Sequence, residues 1–326
     1  MPKEETVVKK EKQKPEFGED FDVVIIGAGP AGMSAALCSC RAKLKVLILD
    51  SALPGGEAST AYKVWNYIGF PDGILGENLA KKMEDHLNNY DISYSCEKVE
   101  DIINISSSIK TIKTDLENEY NCKAVIVCSG LEPKEIDKPF EKQFLGRGIS
   151  YYAQCDGEYY QGKTVAVFGS GNCASYASDY LAEFVEKLYL INPKDYLKAV
   201  SSLKEKVMNN SVIDIIWDTE IDDVFGIDKV EKIKLLSNKT GQSTWLDVSC
   251  VFVYVGRQPS KDIISIEFEV DEAGFILTDE YMRTNIPGVY AAGDIRSKQI
   301  RQIATAVSDG MIAAVNVEKD IIRVRR

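Results

Sequence analysis

The chain has 326 residues, of which 45% are hydrophobic and 27% are charged, and its net charge is −11 with a pI of about 4.9. This length is enough for two domains, each with its own core. The acidic balance argues against nucleic acid and anionic membranes as partners, and no apolar run approaches the roughly 20 residues of a membrane span. The eight cysteines form no CxxC pair, so we expect neither a disulfide framework nor a metal site. This cysteine usage is typical of a protein in the reducing cytoplasm.

The first twenty residues form a charged segment ahead of the folded part of the chain. They mix lysines with acidic residues and contain no hydrophobic stretch. This composition does not match a signal peptide. We expect residues 1–20 to be a solvated, flexible tail.

The segment after this tail has the order of a dinucleotide-binding unit. An apolar strand predicted over 23–26 precedes a G-x-G-x-x-G pattern, and a helix predicted over 33–41 precedes a strand that ends in Asp50. The glycines of the pattern are Gly27, Gly29 and Gly32. The first permits a tight turn, the second lets the backbone approach a pyrophosphate, and the third lets helix and strand pack closely. We expect phosphates at the helix N-terminus and ribose hydroxyls on Asp50.

The same order of elements recurs in the middle of the chain. A strand leads into a G-x-G-x-x-A pattern, and a helix and a further strand follow. The residues of this pattern are Gly169, Gly171 and Ala174. The second strand ends at Asn192, where the first unit has the acidic Asp50. The repetition predicts two Rossmann-like units, the second without an acidic side chain for a ribose.

A third signal lies near the C-terminus. A strand predicted over 288–291 runs into Gly293 and Asp294, and a helix is predicted to begin after Arg301 and Gln302. Asp294 is placed to hydrogen-bond a ribityl or phosphate-side group, and the N-terminus of this helix would favour a partly negative ligand edge. Since this segment and the first unit flank the second unit, we expect them to share one discontinuous domain.

These motifs, in this order and spacing, resemble the low-molecular-weight thioredoxin reductases over essentially the whole chain after the tail. The matching segments are GAGPAG, PGGE with VWNYIGFP, CSG, FLGRGISYYAQCDG, GSGNCA, VFVYVG, and VYAAGD with RQIATA. The resemblance implies bound FAD, a homodimer and electron transfer through flavin to a disulfide. Carried over by motif, the implied FAD contacts are Gly27, Gly29, Ala31, Gly32, Asp50, Gly55, Gly56, Glu57, Asn66, Gly130, Gly293, Asp294, Arg301, Gln302 and Ile303.

The domain organisation follows from the repeat and the resemblance together. We predict an α/β fold with two Rossmann-like, three-layer nucleotide-binding domains, of which the FAD domain is discontinuous and the second is inserted in it. The FAD-binding domain would comprise residues 21–132 and 259–326, and an NAD(P)H-binding-like domain would comprise 133–258. Glycine and proline punctuate the chain at 130–133 and 256–259, where we expect it to cross between domains.

The redox pair of the family is incomplete in this chain. Where the resemblance implies C-x-x-C-D at the start of a helix, the chain has Tyr152, Cys155 and Asp156. Because a helix N-terminus lowers a thiol pKa, Cys155 is the candidate catalytic thiol, and Asp156 is the candidate proton donor or acceptor. An inert role for Cys155 is the alternative, since free cysteine often serves as a small buried hydrophobe. The same packing role is expected of the other seven cysteines.

The nicotinamide side departs from the family as well. The resemblance implies arginines for the 2′-phosphate of NADPH, but the chain has Pro193, Lys194 and Lys198 in this region. Lysines supply point charges without bidentate recognition, so we expect weak NADPH binding. The candidate NAD(P)H contacts are Gly169, Gly171, Ala174, Lys194 and Lys198.

The predicted function is that of an FAD-dependent, thioredoxin-reductase-like oxidoreductase of the pyridine nucleotide-disulfide class with an altered donor or acceptor. Its partner would be a thioredoxin-like protein or a small disulfide. One alternative is a ferredoxin- or NAD(P)H-linked flavin reductase or diaphorase that uses no cysteine, with a ferredoxin-like protein as partner. A second alternative is a non-catalytic FAD-binding regulatory module.

Overall fold

The computed structural model describes residues 20–260 and 268–324. The predicted tail therefore lies outside the described residues, except for Asp20, which begins the first strand. The chain divides into two compact units: unit 1 takes in the described parts of Met1–Glu132 and Gln258–Arg326, and unit 2 is Pro133–Arg257. Unit 1 is thus built from two separate segments of the chain.

The described part of unit 1 contains a seven-stranded sheet and three α-helices. Its elements are β1 (Asp20–Ile26), α1 (Pro30–Arg41), β2 (Val46–Asp50), β3 (Lys63–Val64), β4 (Ile74–Leu75), α2 (Gly76–Leu87), β5 (Ser93–Cys96), β6 (Val99–Ile103), β7 (Lys110–Thr114) and β8 (Glu119–Val127), followed near the C-terminus by the later strand β19 (Val289–Ala291) and by α7 (Ile303–Val324). The sheet order is β5-β2-β1-β8-β7-β6, with β19 also paired to β8. Strands β5, β2, β1, β8 and β19 are mutually parallel, whereas β6, β7 and β8 form an antiparallel meander.

Both faces of this sheet are buried, as the unbroken apolar run of β1 predicts for a central parallel strand. Side chains alternate between the faces of a strand. Val23 and Ile25 accordingly pack with α1 and α7, whereas Val24 and Ile26 pack on the side of the β6–β8 meander. The parallel part of the sheet is therefore covered on one face by helices and packs on the other face with side chains of the β6–β8 meander, which continues the same sheet.

Unit 2 repeats the layered arrangement on a smaller scale. Between β9 (Leu131–Pro133) and β18 (Arg257–Pro259), where the chain passes from one unit to the other, its elements are α3 (Pro139–Phe144), β10 (Ile149–Ser150), α4 (Ala153–Asp156), β11 (Thr164–Phe168), α5 (Asn172–Leu181), β12 (Lys187–Ile191), α6 (Ser201–Asn209), β13 (Ile213–Ile216), β14 (Thr219–Phe225), β15 (Lys232–Ser237), β16 (Ser243–Asp247) and β17 (Val251–Val253). Its parallel sheet has the order β10-β17-β11-β12-β13, and β14, β15 and β16 form a separate antiparallel sheet. One core cluster lies on the side of α5 and α6, and another on the side of the antiparallel sheet. The predicted fold class is confirmed.

Candidate functional site

Glycine occupies three positions of the loop after β1 for different physical reasons. Gly27 has φ +104°, and a Cβ atom there would lie 2.4 Å from the carbonyl oxygen of Cys128. At Gly32 a Cβ would lie 1.8 Å from the carbonyl oxygen of Gly27. At Gly29 the nearest atom to a Cβ would be the Cα of Gly56, at 3.9 Å, an ordinary contact. The protein's own packing therefore requires the first and third glycines but not the second.

The open side of Gly29 faces the beginning of α1. Gly29 is the N-cap residue, Pro30 occupies the first turn, and no side chain caps the helix. Proline suits the first turn because it has no N–H group to leave unpaired. The first turn of a helix without a side-chain cap presents its N–H groups and the positive end of the helix dipole, which is the usual setting of a bound phosphate.

Asp50 ends β2 beside this loop, and its carboxylate holds two backbone groups. The Ala28 N–H donates to Oδ2 at 2.5 Å, and the Ala52 N–H donates to Oδ1 at 2.9 Å. Burial raises the pKa of the Asp50 carboxyl, and these two hydrogen bonds oppose the shift. Each carboxylate oxygen can accept a further hydrogen bond, so both the observed loop contacts and the predicted ribose contact can be made.

A pocket opens beside Asp50, at the carboxyl ends of the parallel strands. The residues that line it are Ile26, Gly27, Leu49, Asp50, Ser51, Glu97, Lys98, Val99, Ser129 and Ser260. The Ser129 hydroxyl oxygen is buried and has no hydrogen-bond partner among the described residues. An unpartnered buried hydroxyl costs free energy unless a ligand or water satisfies it. The pocket thus offers a polar group to a bound molecule.

Of these ten residues, the sequence predicted only Gly27 and Asp50 as cofactor contacts. The polar residues that it missed are Ser51, Glu97, Lys98, Ser129 and Ser260. Glu97 and its neighbours follow β5, which pairs with β2 so that Cys96 lies opposite Asp50. Only the strand order brings them to the pocket, and no local motif marks them. The Glu97 carboxylate already accepts hydrogen bonds from Thr114 at 2.6 Å and Tyr120 at 2.8 Å, so it shapes the wall instead of serving as a free acceptor.

The predicted contacts around the second glycine pair lie next to the first loop. The Gly55 N–H donates to the Ala28 carbonyl at 2.9 Å, and both Gly55 and Gly56 have positive φ. Exposed Glu57 lies in a short 3-10 helix over Gly56–Thr60, and its carbonyl accepts from the Thr60 hydroxyl at 2.9 Å. The backbone segments that meet at Ala28 therefore bring Gly29, Gly55 and Gly56 together.

Two predicted contacts that are 236 positions apart in sequence meet directly. The Asn66 side-chain amide donates to Gln302 Oε1 at 2.6 Å. Ile303, which begins α7, packs against the small core cluster of Val64, Ile74 and Leu79. Gly130 has φ +65° and no atom within 4 Å of a built Cβ, so space is open there too.

The Gly293-Asp294 turn lies against the first helix. A Cβ built on Gly293 would lie 2.8 Å from the Ala31 Cβ, so this turn contacts the N-terminal end of α1. Asp294 Oδ1 is buried without a hydrogen-bond partner among the described residues, although the Lys298 ammonium stands 3.5 Å from it. Burial raises the pKa of the Asp294 carboxyl, and Lys298 opposes that shift. Arg301 stacks 3.8 Å from the centroid of the Phe275 ring.

These features test whether the implied cofactor suits unit 1. FAD carries ribityl and ribose hydroxyls that donate hydrogen bonds, and a pyrophosphate that accepts them. The unpartnered oxygens of Asp294 and Ser129 and the open face of Gly29 complement those groups. The residues present therefore fit FAD.

The glycine loop of unit 2 also has one crowded position and one open position. Gly169 has φ +151°, and a Cβ there would lie 2.4 Å from the Tyr254 carbonyl oxygen. The Lys198 N–H donates to the Ser170 carbonyl at 2.6 Å, so the segment after β12 runs along the loop. Gly171 has no atom within 4 Å of a built Cβ and remains the open position of the pattern. Ala174 is fully buried in the core.

The end of β12 uses its polar side chain internally. Asn192 is fully buried, its amide donates to the Tyr196 carbonyl at 3.0 Å, and its Oδ1 accepts the Lys194 N–H at 2.9 Å. The Lys194 ammonium lies 3.3 Å from the Tyr196 hydroxyl and is exposed, as is Lys198. Asn192 thus shapes the turn, and the two lysines are the charges that this region offers a phosphate.

The thiol predicted to be catalytic lies on a helix of a single turn, α4. Tyr152 caps it, and the Ala153 N–H donates to the Tyr254 hydroxyl at 3.0 Å. Burial and the Asp156 carboxylate raise the pKa of the Cys155 thiol. Burial and Asp156 thus both oppose the thiolate that the sequence predicts here, and a helix of four residues has only a small dipole to set against them. Asp156 itself accepts from the Ser150 hydroxyl at 2.5 Å.

The eight cysteines all lie among the described residues, and none of them forms a disulfide. Cys122, Cys128 and Cys250 are buried packing residues, as expected, whereas Cys96 and Cys173 are exposed, which contradicts that expectation for them. Within residues 20–260 and 268–324, no group of three or more His, Cys, Asp and Glu side chains is placed to hold a metal ion. None of the described helices has the length and apolar character needed to cross a membrane.

Comparison with known proteins agrees with this architecture. The family model described as pyridine nucleotide-disulphide oxidoreductase matches residues 21–310. The "34.2 kDa protein in rubredoxin operon" of Clostridium pasteurianum is 40% identical over 96% of this chain and 99% of its own, and the thioredoxin reductase of Bacillus subtilis is 37% identical over 91% and 94%. The crystal structure of Lactococcus lactis thioredoxin reductase (FR conformation) is 34% identical, covers 93% of this chain and 100% of its own, and has a TM-score of 0.88. The chain therefore belongs to the pyridine nucleotide-disulphide oxidoreductase family, as a thioredoxin-reductase-like, flavin-dependent oxidoreductase with FAD as its cofactor.

Proposed function

We propose that this oxidoreductase passes electrons from FAD to an acceptor without forming an intramolecular disulfide. The observation that carries the proposal is Tyr152 at the N-cap of α4, three residues before Cys155. A phenol has a pKa of about 10 and does not take part in thiol exchange. FAD supplies two-electron redox chemistry when bound, and Cys155 has no partner thiol at the C-x-x-C spacing, because that position is Tyr152.

The FAD-binding residues of the proposal are those that the motifs predict in unit 1. The open face of Gly29 and the first turn of α1 would hold the pyrophosphate. Asp50 would hold the adenosine ribose, in the pocket that Ser129 lines. Asp294 would accept a hydrogen bond from a ribityl hydroxyl through its unpartnered Oδ1.

On the donor side, we propose a weak nicotinamide site at the glycine loop of unit 2. Gly171 leaves space for a pyrophosphate, whereas Asn192 is committed to its own turn. Lys194 and Lys198 would give the 2′-phosphate of NADPH point charges but no planar, paired hydrogen bonds. NADPH should therefore bind weakly and with little preference over NADH.

Cys155 is the candidate for any thiol step, with Asp156 as its proton partner. Its thiolate would attack a disulfide, break the S–S bond, form a mixed disulfide and release the other sulfur as a thiolate. A thiol from outside α4 would then attack the mixed disulfide, release the Cys155 thiolate and form a new disulfide with the bound sulfur. Two electrons from reduced FAD would be needed to reduce that new disulfide before the cycle could repeat. The acceptor of this scheme is a small disulfide or a thioredoxin-like protein, the assembly is a homodimer, and the compartment is the cytoplasm.

Anaerobic titration of the purified holoprotein with NADPH, NADH and reduced ferredoxin tests the donor side, with flavin absorbance as the readout. Slow, incomplete bleaching by both nucleotides is expected. Bleaching by reduced ferredoxin alone would replace the nicotinamide site with a ferredoxin-like donor. Adding a small disulfide to the reduced protein then tests the acceptor side: reoxidation that Cys155→Ser abolishes supports the thiol step, and reoxidation unchanged in that variant excludes it.

A further inference from the structure

A buried carboxylate on α7, Asp309, holds together the turn that presents Asp294. Asp309 is 6% exposed. Its Oδ2 accepts the Gly293 N–H at 3.2 Å and the Lys298 ammonium at 2.9 Å, and its Oδ1 accepts from Arg296 at 3.2 Å. Three groups from one short segment, around 293–298, therefore converge on this side chain, which no sequence motif marked.

Lys298 stands between two carboxylates and lies closer to Asp309, at 2.9 Å, than to Asp294, at 3.5 Å. Its side chain is 9% exposed and donates to Asp309, with the Thr305 hydroxyl at 3.3 Å as a weaker partner. The ammonium is 3.5 Å from Asp294 Oδ1, close enough for attraction, yet that oxygen has no hydrogen-bond partner among the described residues. The preference of Lys298 for Asp309 thus leaves the Asp294 oxygen available.

We propose that Asp309 is a positioning residue for the flavin cofactor. It fixes the Gly293 peptide, and it draws Lys298 closer to itself than to Asp294, so that Asp294 Oδ1 can accept a hydrogen bond from a cofactor hydroxyl. The proposal rests on the assignment of Asp294 to the FAD site. Without the charge of Asp309, the ammonium moves the short distance to Asp294 and occupies the acceptor, because a buried cation requires an anionic partner.

This argument predicts a rescue that a purely structural role would not produce. Asp309→Asn keeps the shape of the side chain and removes its charge, so FAD should dissociate about 10- to 100-fold faster, the range expected when a hydrogen bond involving a charged group is lost. Adding Lys298→Met to that variant removes the competing ammonium and should recover at least about half of the loss on a logarithmic scale. FAD release from the diluted holoprotein, followed by the rise of flavin fluorescence, gives the rates.

A second α7 carboxylate provides the matched control. Asp320 accepts from Arg283 at 3.1 Å and from the Tyr290 hydroxyl at 2.5 Å, so Asp320→Asn also breaks a charged contact between α7 and the strand region. It should lower the unfolding temperature without changing the FAD release rate. If Asp309→Asn releases FAD no faster than Asp320→Asn, Asp309 has no positioning role. If FAD dissociates equally fast from Asp309→Asn and from the variant that also carries Lys298→Met, the proposal that Lys298 moves to Asp294 is wrong.

One further variant separates this inference from the proposed cofactor site. Asp294→Ala should itself accelerate FAD release. Wild-type release in that variant would show that the Asp294 assignment fails, whatever Asp309 does. Fast release from Asp294→Ala combined with wild-type release from Asp309→Asn would leave the cofactor site intact and overturn only the role of Asp309.

Discussion

At the scale of single residues, the G-x-G-x-x-G pattern separates into positions required by packing and a position left for the ligand. Gly32 cannot carry a side chain because a Cβ would overlap the Gly27 carbonyl. Gly29 could carry one as far as the protein's own atoms are concerned. A glycine that the fold does not need, beside a helix end without a side-chain cap, is explained by the close approach of a bound pyrophosphate.

Gly29→Val should therefore lose the cofactor without losing the fold. The valine side chain would project into the proposed pyrophosphate position, and we expect about a tenfold lower flavin content after purification. Flavin absorbance per mole of protein measures the content, and circular dichroism checks the fold. Gly32→Ala is the contrasting variant, since overpacking there should lower the free energy of unfolding by about 1–3 kcal/mol. Wild-type flavin content in Gly29→Val would contradict the assignment of this loop.

The chemistry of Cys155 gives a second prediction at this scale. Because burial and Asp156 raise its pKa, the thiolate fraction near neutral pH lies below that of an ordinary thiol. Alkylation of Cys155 by iodoacetamide should be slow at about pH 7.5 and should keep rising with pH beyond the range of an ordinary thiol. Asp156→Asn removes the nearby negative charge, lowers the pKa of Cys155 and should increase the rate at that pH about 2- to 5-fold.

Peptide mapping by mass spectrometry assigns the label, since Cys96 and Cys173 are exposed as well. Their alkylation rates serve as internal controls in the same sample. A rate for Cys155 in the wild-type protein that exceeds those of Cys96 and Cys173 would show an activated thiol and contradict the raised pKa.

At the scale of elements, the sequence predicted types and order well and boundaries less well. The strand predicted over 23–26 begins at Asp20, because the polar edge of a buried strand breaks the apolar pattern without ending the ladder. The helix predicted from residue 33 begins at Pro30, since the last residues of the glycine pattern are already its first turn. The pocket wall at Glu97–Val99 could not be predicted, because it depends on β5 pairing beside β2.

The turn after β12 is the element at which nucleotide preference can be tested. Replacing Pro193 and Lys194 by arginine restores two planar, bidentate donors where the family is expected to have them. The dissociation constant for NADPH, weaker than about 10 μM in the wild-type protein, should fall about tenfold in the double variant. Fluorescence titration measures it. NADH is the internal control, since it lacks the 2′-phosphate and its affinity should not change.

A native NADPH affinity in the low micromolar range, far above that for NADH, would contradict this interpretation of the turn. In that case Lys194 and Lys198 would be sufficient phosphate ligands despite their exposure. Such a result would leave the internal hydrogen bonds of Asn192 unaffected, because they shape the turn whichever nucleotide binds.

At the scale of the whole molecule, the strand, glycine pattern and helix of a dinucleotide-binding unit occur twice, once in each unit. The two copies differ in the polar groups around the glycine pattern. In unit 1 the pattern is accompanied by open space at Gly29 and by unpartnered oxygens on Ser129 and Asp294. In unit 2 the corresponding polar residue, Asn192, is satisfied by its own turn. The sequence could predict both units, but only the hydrogen bonds of the folded chain show which polar side chains are already used. Asn192 is fully engaged by its own turn, whereas oxygens of Ser129 and Asp294 in unit 1 have no hydrogen-bond partner among the described residues.

The consequence for the whole enzyme concerns thioredoxin reduction, which should be slow in the unmodified protein. The family's dithiol route needs one cysteine to attack the partner and a second to resolve the mixed disulfide, and Tyr152 can do neither. Tyr152→Cys restores the pair on α4 at the spacing that the family uses. The variant should lose two titratable thiols on mild oxidation, measured with a thiol reagent after denaturation, whereas Tyr152→Phe should lose none. Disulfide-reductase activity should follow only if electrons still reach the restored pair. Robust thioredoxin reduction by the wild-type chain, abolished by Cys155→Ser, would show instead that a single thiol suffices and that the resolving group comes from outside α4.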